Sequence, residues 1–415
     1  MKRVPLSVIA VLTSAVFPCG AEVMEKNPAA FAVNAFAAKF QQSLPAGKNT
    51  LVSPWSLQSS LGMLYAGADA AVAEEMSKAL ALPPPNTGLD ESFRTLRESV
   101  LAQAADAPPL VLRSANRVVI QSGSPIGGEW LDTVKINYAA DAVQADFQTG
   151  GPTAIQQINE WVKQQTEGKI PTIISHLDPA TRLVLLNAVY LDMIWDERFT
   201  KELTKVQPFH IDRSGAKQIP LMFKQHRMRY SQNPGFQIAA LPYAGGRMQF
   251  TVLVPDATDG LATLEKSLTP ELLSACTSLP MEEVRLSLPR LKIEYSPENL
   301  PDIFKAMGMR KAFSPGGFTR IGPGLSIDQI VHKTYLDLDE DGTKAASATA
   351  IALTLKNGFP HEIPHKVVRA DRPFLFMIQH VPSGTCLFLG RCVDPAPEIA
   401  AAPAAKTPKS APPKK

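Results

Sequence analysis

The sequence is short of cysteine, of aromatic residues and of any sustained run of one charge, and each shortage closes off a class of protein. Four cysteines in 415 residues cannot staple a chain of this size. Cys19 lies near the start, which leaves Cys276, Cys386 and Cys392. Cys386 and Cys392 stand six residues apart on what reads as one strand, about 20 Å at strand rise and too far to bridge. The fold therefore rests on its core, even in an oxidising compartment. Aromatics make up 7% and are not interleaved with a basic cluster, so neither nucleic acid nor heparin is implied as a partner. The formal charge of +3 is a property of the ends. Six of the 42 basic residues (Lys2, Arg3, Lys406, Lys409, Lys414, Lys415) and one of the 39 acidic ones (Glu398) lie there, leaving 36 against 38, a balance of −2, over residues 22–395. There is no N-x-Ser/Thr site, no internal repeat, no Walker loop and no dinucleotide fingerprint.

What is present is an ordinary apolar share of 45% and no linker in the middle, so one large domain over residues 22–395 is expected. Met1–Ala21 reads as a secretory signal: Lys2 and Arg3, an apolar run from Val4 to Phe17, and small residues before Glu22. That run is too short to span a bilayer. Secretion to an extracellular or periplasmic space follows, with no membrane attachment after cleavage. Cys19 as a lipidated residue is the alternative, but Phe17-Pro18 is a poor match to a lipobox. Residues 396–415 are almost all Ala, Pro and Lys, a composition expected to stay disordered.

Between these ends, helical periodicity covers Ala29–Leu44, a second helix starts at Ser53-Pro54 and reaches Ala66, and Ile155–Ile174 is amphipathic with a stop at Gly168. Leu110–Val119, Phe209–Phe223, Phe236–Leu241, Gln249–Val254 and Glu283–Tyr295 read as strands, followed by a helix over Leu300–Met309. Leu183–Trp195 is nearly all apolar and β-branched, the pattern of a strand buried on both faces. Asn187 in its middle needs a buried partner.

The chain is organised around Thr334–Leu355. Ser326–Asp339 alternates as a strand, Glu340-Asp341-Gly342 reads as a turn, and the alternation then resumes. One face carries Thr343, Ala345, Ser347, Thr349, Ile351 and Leu353; the other is small apart from Lys344. Small residues near the turn suit a segment that slides between two existing strands. Taken alone, the Ala-rich stretch Lys344–Leu355 also fits a surface helix; the Gly342-Thr343 start argues for the strand.

Glu340, Asp341, Gly342, Thr343, Lys344, Ala345, Ala346, Ser347, Ala348 and Thr349 together resemble the hinge of the serpin family, suicide inhibitors of serine proteases. Val331-His332-Lys333-Thr334 is similar to the family as well. So are Ser53, Pro54, Ser56, Leu61, Met63 and Gly67-Ala68, then Ser114–Arg117, Ile158-Asn159, Gly168-Lys169-Ile170 and the closing hairpin around Pro382-Ser383-Gly384. The resemblance spans about residues 30–395. It implies an α+β fold of three mainly antiparallel sheets with eight or nine helices, and an exposed reactive loop over about 341–371 that inserts into a sheet after cleavage. It further implies a polar cluster of Ser53, Ser56, Asn187 and His332 where the sheet parts, and an Arg290–Glu340 ion pair beside Trp195 at the top of the sheet. Counting sixteen positions from Glu340 places the reactive bond at Lys356–Asn357, so the implied partner is a trypsin-like serine protease, met by a monomer without any cofactor. Leu355 and Phe359 are alternative cut positions, because Lys356–Pro373 is longer than the family pattern and Asn357 replaces a small hydroxyl residue. Lys344 departs from the family's glutamate.

Other readings remain. The resemblance also fits a non-inhibitory member, a carrier, chaperone or plain protease substrate. His361-Glu362-Ile363-Pro364-His365 spells the zinc-protease signature, but Pro364, Gly358 and Pro360 oppose the helix that would put both histidines on one face. Ser214-Gly215-Ala216-Lys217 spells S-x-x-K without the partner motifs of a serine hydrolase and reads as a turn. Neither motif supports an enzyme or a bound metal.

Overall fold

Ser53 and Pro54 start the helix on which the centre of the molecule rests. The Ser53 hydroxyl accepts the Ser56 N–H, Pro54 presets the first turn, and the helix runs Pro54–Ala66 with nearly every side chain buried. The computed structural model describes residues 27–85, 87–102, 111–211, 215–343 and 365–395. Nine α-helices lie among them, beginning with Pro28–Ser43.

The smaller sheet has the order β10-β11-β12-β4-β2-β3, from β2 (Val111–Gln121), β3 (Asp141–Ala145), β4 (Leu183–Ile194), β10 (Leu291–Tyr295), β11 (Gln329–Leu338) and β12 (Gly342–Thr343). β4 is buried on both faces, as its unbroken apolar run predicts. Its two faces feed two cores. Leu183, Leu185, Val189 and Leu191 join the main one; Val184, Leu186, Ala188 and Tyr190 join a second, under helix Gly151–Gln165. That helix ends where Glu167 and Gly168 take positive φ values of 51° and 77°. The strap beyond it packs Ile170, Ile173 and Ile174 over the same face.

The larger sheet contains β1 (Thr50–Val52), β5 (Lys205–His210), β6 (Ala216–Asn233), β7 (Phe236–Pro242), β8 (Met248–Pro255), β9 (Met281–Pro289), β13 (Lys366–Arg369), β14 (Phe374–His380) and β15 (Thr385–Cys392). Its order is β1-β15-β14-β8-β7-β6-β9-β13, with β5 also on β6. The α+β architecture is the expected one. Two of the three expected sheets share β6 and so join into one: its first part pairs with β5, its middle with β9 and its end with β7. Pairing is mainly antiparallel; β2–β3, β4–β11 and β9–β13 are the parallel exceptions.

Two expected strands divide. Phe209–Phe223 is a hairpin, with Phe209 on β5 and Phe223 on β6. Glu283–Tyr295 breaks at Arg290, so that β9 pairs with β6 in the larger sheet and β10 with β11 in the smaller. Cys386 and Cys392 do share β15, and Cys276, Cys386 and Cys392 are free and buried. Burial pushes the Cys276 thiol up to about 12. Among the described residues no helix is long and apolar enough to cross a membrane.

Candidate functional site

β4 and β11 run parallel and are paired from Gln329↔Val184 to Tyr335↔Tyr190. Above that point the chain turns back on itself. Asp339 Oδ1 accepts the N–H groups of Asp341 (2.8 Å) and Gly342 (3.3 Å), the side-chain turn that aspartate favours. Gly342 and Thr343 then enter between the two strands. Thr343 lies opposite Leu338 of β11 on one side and Met193 of β4 on the other, antiparallel to both. Gly342 has φ +151°, and a Cβ there would stand 2.1 Å from the Met193 carbonyl oxygen. Only glycine admits this close approach.

The turn is held from three sides. Glu340, 2% exposed, receives Arg290 Nη2 at 2.7 Å and Nε at 3.0 Å, a forked arrangement that suits a carboxylate. Thr204 Oγ1 donates to it at 2.6 Å. Burial would raise this carboxyl, but the hydrogen bonds from Arg290 and Thr204 outweigh it and hold the group below its ordinary range. Trp195 donates its backbone N–H to Asp341 O and its indole N–H to Asp339 O. Its ring stacks on Tyr243 at 4.6 Å, and the Tyr243 hydroxyl lies 2.6 Å from Thr343 Oγ1. Lys201 and Arg198 reach Asp341 at 2.9 and 3.3 Å.

Beneath the paired part of β4 and β11 lies a buried polar cluster. Alternation puts Asn187 on the main-core face of β4, the one polar side chain in that row, directly opposite Asn116 of β2. Its amide nitrogen is within hydrogen-bond reach of Ser56 Oγ, Ser60 Oγ and Asn116 Oδ1. Two hydrogens face three acceptors there, and the two serine hydroxyls complete the set by donating to Asn116 Oδ1. His332 Nε2 accepts the Ser53 N–H at 3.0 Å, so the ring proton sits on Nδ1 and is donated to Asn187 Oδ1. The ring is fully buried and neutral, and burial lowers its pKa to about 3. Ser53 Oγ donates to Leu387 O, which ties the cluster to β15.

A family model described as serpin (serine protease inhibitor) matches residues 26–395. The chain belongs to the serpin family. An uncharacterized serpin-like protein of Thermococcus kodakarensis is 34% identical over 375 residues, covering 89% of this chain and 87% of that one. The leukocyte elastase inhibitor of Equus caballus is 34% identical over 380 residues, covering 88% and 97%. Among solved structures, the thermophilic serpin tengpin in its native state superposes with a TM-score of 0.79 at 26% identity, covering 92% of this chain and 96% of that one.

The serpin chain thus brings Ser53, Ser56, Asn187 and His332 together in one network, and Arg290, Glu340, Trp195, Gly342 and Thr343 together in another. Lys344, Ala345, Ala346, Ser347, Ala348, Thr349, Leu355, Lys356, Asn357 and Phe359 lie outside the described residues, as do residues 1–21 with Cys19, Ser214, and residues 396–415. Of the H-E-x-x-H run only His365 is described; its Nε2 lies 3.3 Å from the Gln225 amide. Among the described residues no group of three or more His, Cys, Asp or Glu side chains is placed to hold a metal. Sequence reasoning missed Ser60, Thr204 and Tyr243, and named Asn116 only within the motif Ser114–Arg117, without its place in the cluster. For Ser60 a signal exists: it stands one turn after Ser56 on the same helix face. Thr204 and Tyr243 carry none, because their hydrogen-bond partners are a hundred residues or more away in sequence.

Proposed function

We propose that this serpin inhibits serine proteases as a suicide substrate. The observation that carries the reading is the position of Gly342-Thr343, seated between β4 and β11 and antiparallel to both. Continuing that direction, Thr343, Ala345, Ser347 and Thr349 offer small side chains to the face that must enter. In the proposed reaction a protease serine attacks the Lys356 carbonyl. The bond to Asn357 breaks, the Asn357 amine leaves with a proton, and an ester joins Lys356 to the protease. The freed chain then inserts. It replaces one parallel β4–β11 pairing with two antiparallel ladders, and a strand of about 14 residues carries the protease roughly 46 Å. Lysine at the cut matches the acidic primary pocket of a trypsin-like protease. The uncut fold is held kinetically rather than at its free-energy minimum. The signal-like run Met1–Ala21 suits a secreted protein, and the proposed inhibitor acts as a monomer without a cofactor.

Incubation of the secreted form with trypsin tests this. An adduct that survives SDS is expected, together with a higher melting temperature of the nicked chain. Cleavage without adduct, or a melting temperature left in place, overturns it and favours a non-inhibitory serpin. That second reading draws on Lys344, which departs from the family's glutamate.

A further inference from the structure

A groove of about 420 Å³ runs across the outer face of the β5-β6-β9-β13 leaf. Strand register builds it. Val367 lies opposite Arg285, which lies opposite Gln225; one row on, Arg369 lies opposite Ser287, which lies opposite Phe223. Ser287 is small and buried, so the second row dips between the guanidinium of Arg369 and the ring of Phe223. Leu203 and Lys205 close the far wall.

Two features set this face apart. Leu203 and Val367, both on the groove, are 43% and 50% exposed, and belong to the few large apolar residues left open to solvent among the described residues. Beside them stand three cations, Lys205, Arg285 and Arg369, while no carboxylate appears among the described residues of the lining. Two of the cations are already oriented. Arg285 Nε donates to Gln225 Oε1 at 3.2 Å, and Arg369 Nη2 donates to Gln207 Oε1 at 2.9 Å. Asp371 accepts a hydrogen bond from Arg369 Nε, but it is itself buried and shared with Arg372, so it offsets only part of the positive charge.

We infer that this groove binds a small anionic amphiphile: a carboxylate or sulfonate head held by Arg285, Lys205 and Arg369, and a short apolar body laid on Phe223, Leu203 and Val367. Size favours such a ligand, since pockets for small molecules fall in the range of about 300–1,000 Å³ with an apolar lining and a few fixed polar groups. Charge fixes its sign. Guanidinium groups oriented in advance reduce the ordering cost of capturing an anion. The site lies on strands that the insertion reading leaves in place, so it stands or falls separately from inhibition.

Calorimetric titration of the full chain with decanoate tests the assignment, with decyltrimethylammonium as the cation of matching tail and an acidic hexapeptide as a protein-like competitor. Decanoate should bind at one site and decyltrimethylammonium should not. Arg285→Ala and Lys205→Ala, both on exposed side chains, should each weaken binding by about tenfold, the loss of one charge-assisted contact. Val367→Asp should abolish it, while Arg113→Ala on the other sheet should leave it unchanged. Melting curves establish that each variant is folded. Equal binding of the two amphiphiles, or parent-like decanoate affinity in both cation variants, would place the binding elsewhere and overturn the assignment. Binding of the hexapeptide without decanoate would make the face a protein-docking surface and sink the amphiphile.

Discussion

The hydroxyls of Tyr243 and Thr343 lie 2.6 Å apart, both on residues with no solvent exposure. This contact joins the seated start of the proposed inserting segment to the turn between β7 and β8. It also fixes the small side chain at 343 against the aromatic stack formed by Tyr243 and Trp195.

Thr343→Arg should turn an inhibitor into a substrate. Thr343 is already seated and buried between β4 and β11, so an arginine there would put an unpaired charge in a closed space at a cost of several kcal/mol; the hinge end would be held out of the sheet and insertion slowed more than about tenfold. The expected result with trypsin is loss of the SDS-stable adduct with cleavage at the same bond. Normal adduct formation by this variant would contradict the insertion reading.

Gly342→Ala should expel β12 from the sheet. The added Cβ meets the Met193 carbonyl oxygen at 2.1 Å in a backbone conformation that side chains rarely adopt, a strain of about 1–3 kcal/mol if the strand stays. Hydrogen exchange reads the choice directly: the amides of residues 342 and 343 should exchange faster than in the parent, while β2 keeps its protection.

Arg290→Ala removes the forked partner of a buried carboxylate. Thr204 remains, and Arg290 is half-exposed, so a loss of about 1–3 kcal/mol is expected rather than the full cost of an orphaned charge. Glu340→Gln should cost less. The sign with pH follows from the depressed Glu340 carboxyl: its contribution is present above the ordinary 4.5 and disappears as pH falls through the folded value. Denaturant melts of parent and Arg290→Ala should therefore converge in acid.

His332 makes the fold acid-sensitive in a defined window. The unfolded chain takes up a proton near 6.5 and the folded ring only near 3. Stability is therefore complete above 6.5 and falls as pH drops toward 3. His380, lowered to about 4 by burial and by Arg247, acts in the same direction. His332→Gln should flatten the slope in part and leave the His380 share. His332→Ala should also leave the Ser53 N–H and Asn187 Oδ1 without partners, at about 1–3 kcal/mol each, measurable by urea denaturation.

By itself the sequence determined what depends on neighbours along the chain. The double-sided burial of Leu183–Ile194, the cap at Ser53-Pro54, the glycine turn after Glu340 and the small residues beyond it all follow from local pattern and side-chain chemistry. The family's motifs added which distant residues should meet, among them Arg290 with Glu340 and Asn187 with His332. Only the tertiary structure decided that Glu283–Tyr295 is divided between two sheets, that β6 fuses two expected sheets into one, and that Tyr243, Thr204, Asn116 and Ser60 complete the two networks. Periodicity records which face of a segment is buried; it does not record which strand arrives beside it, because that is settled by loop closure and packing across the whole chain.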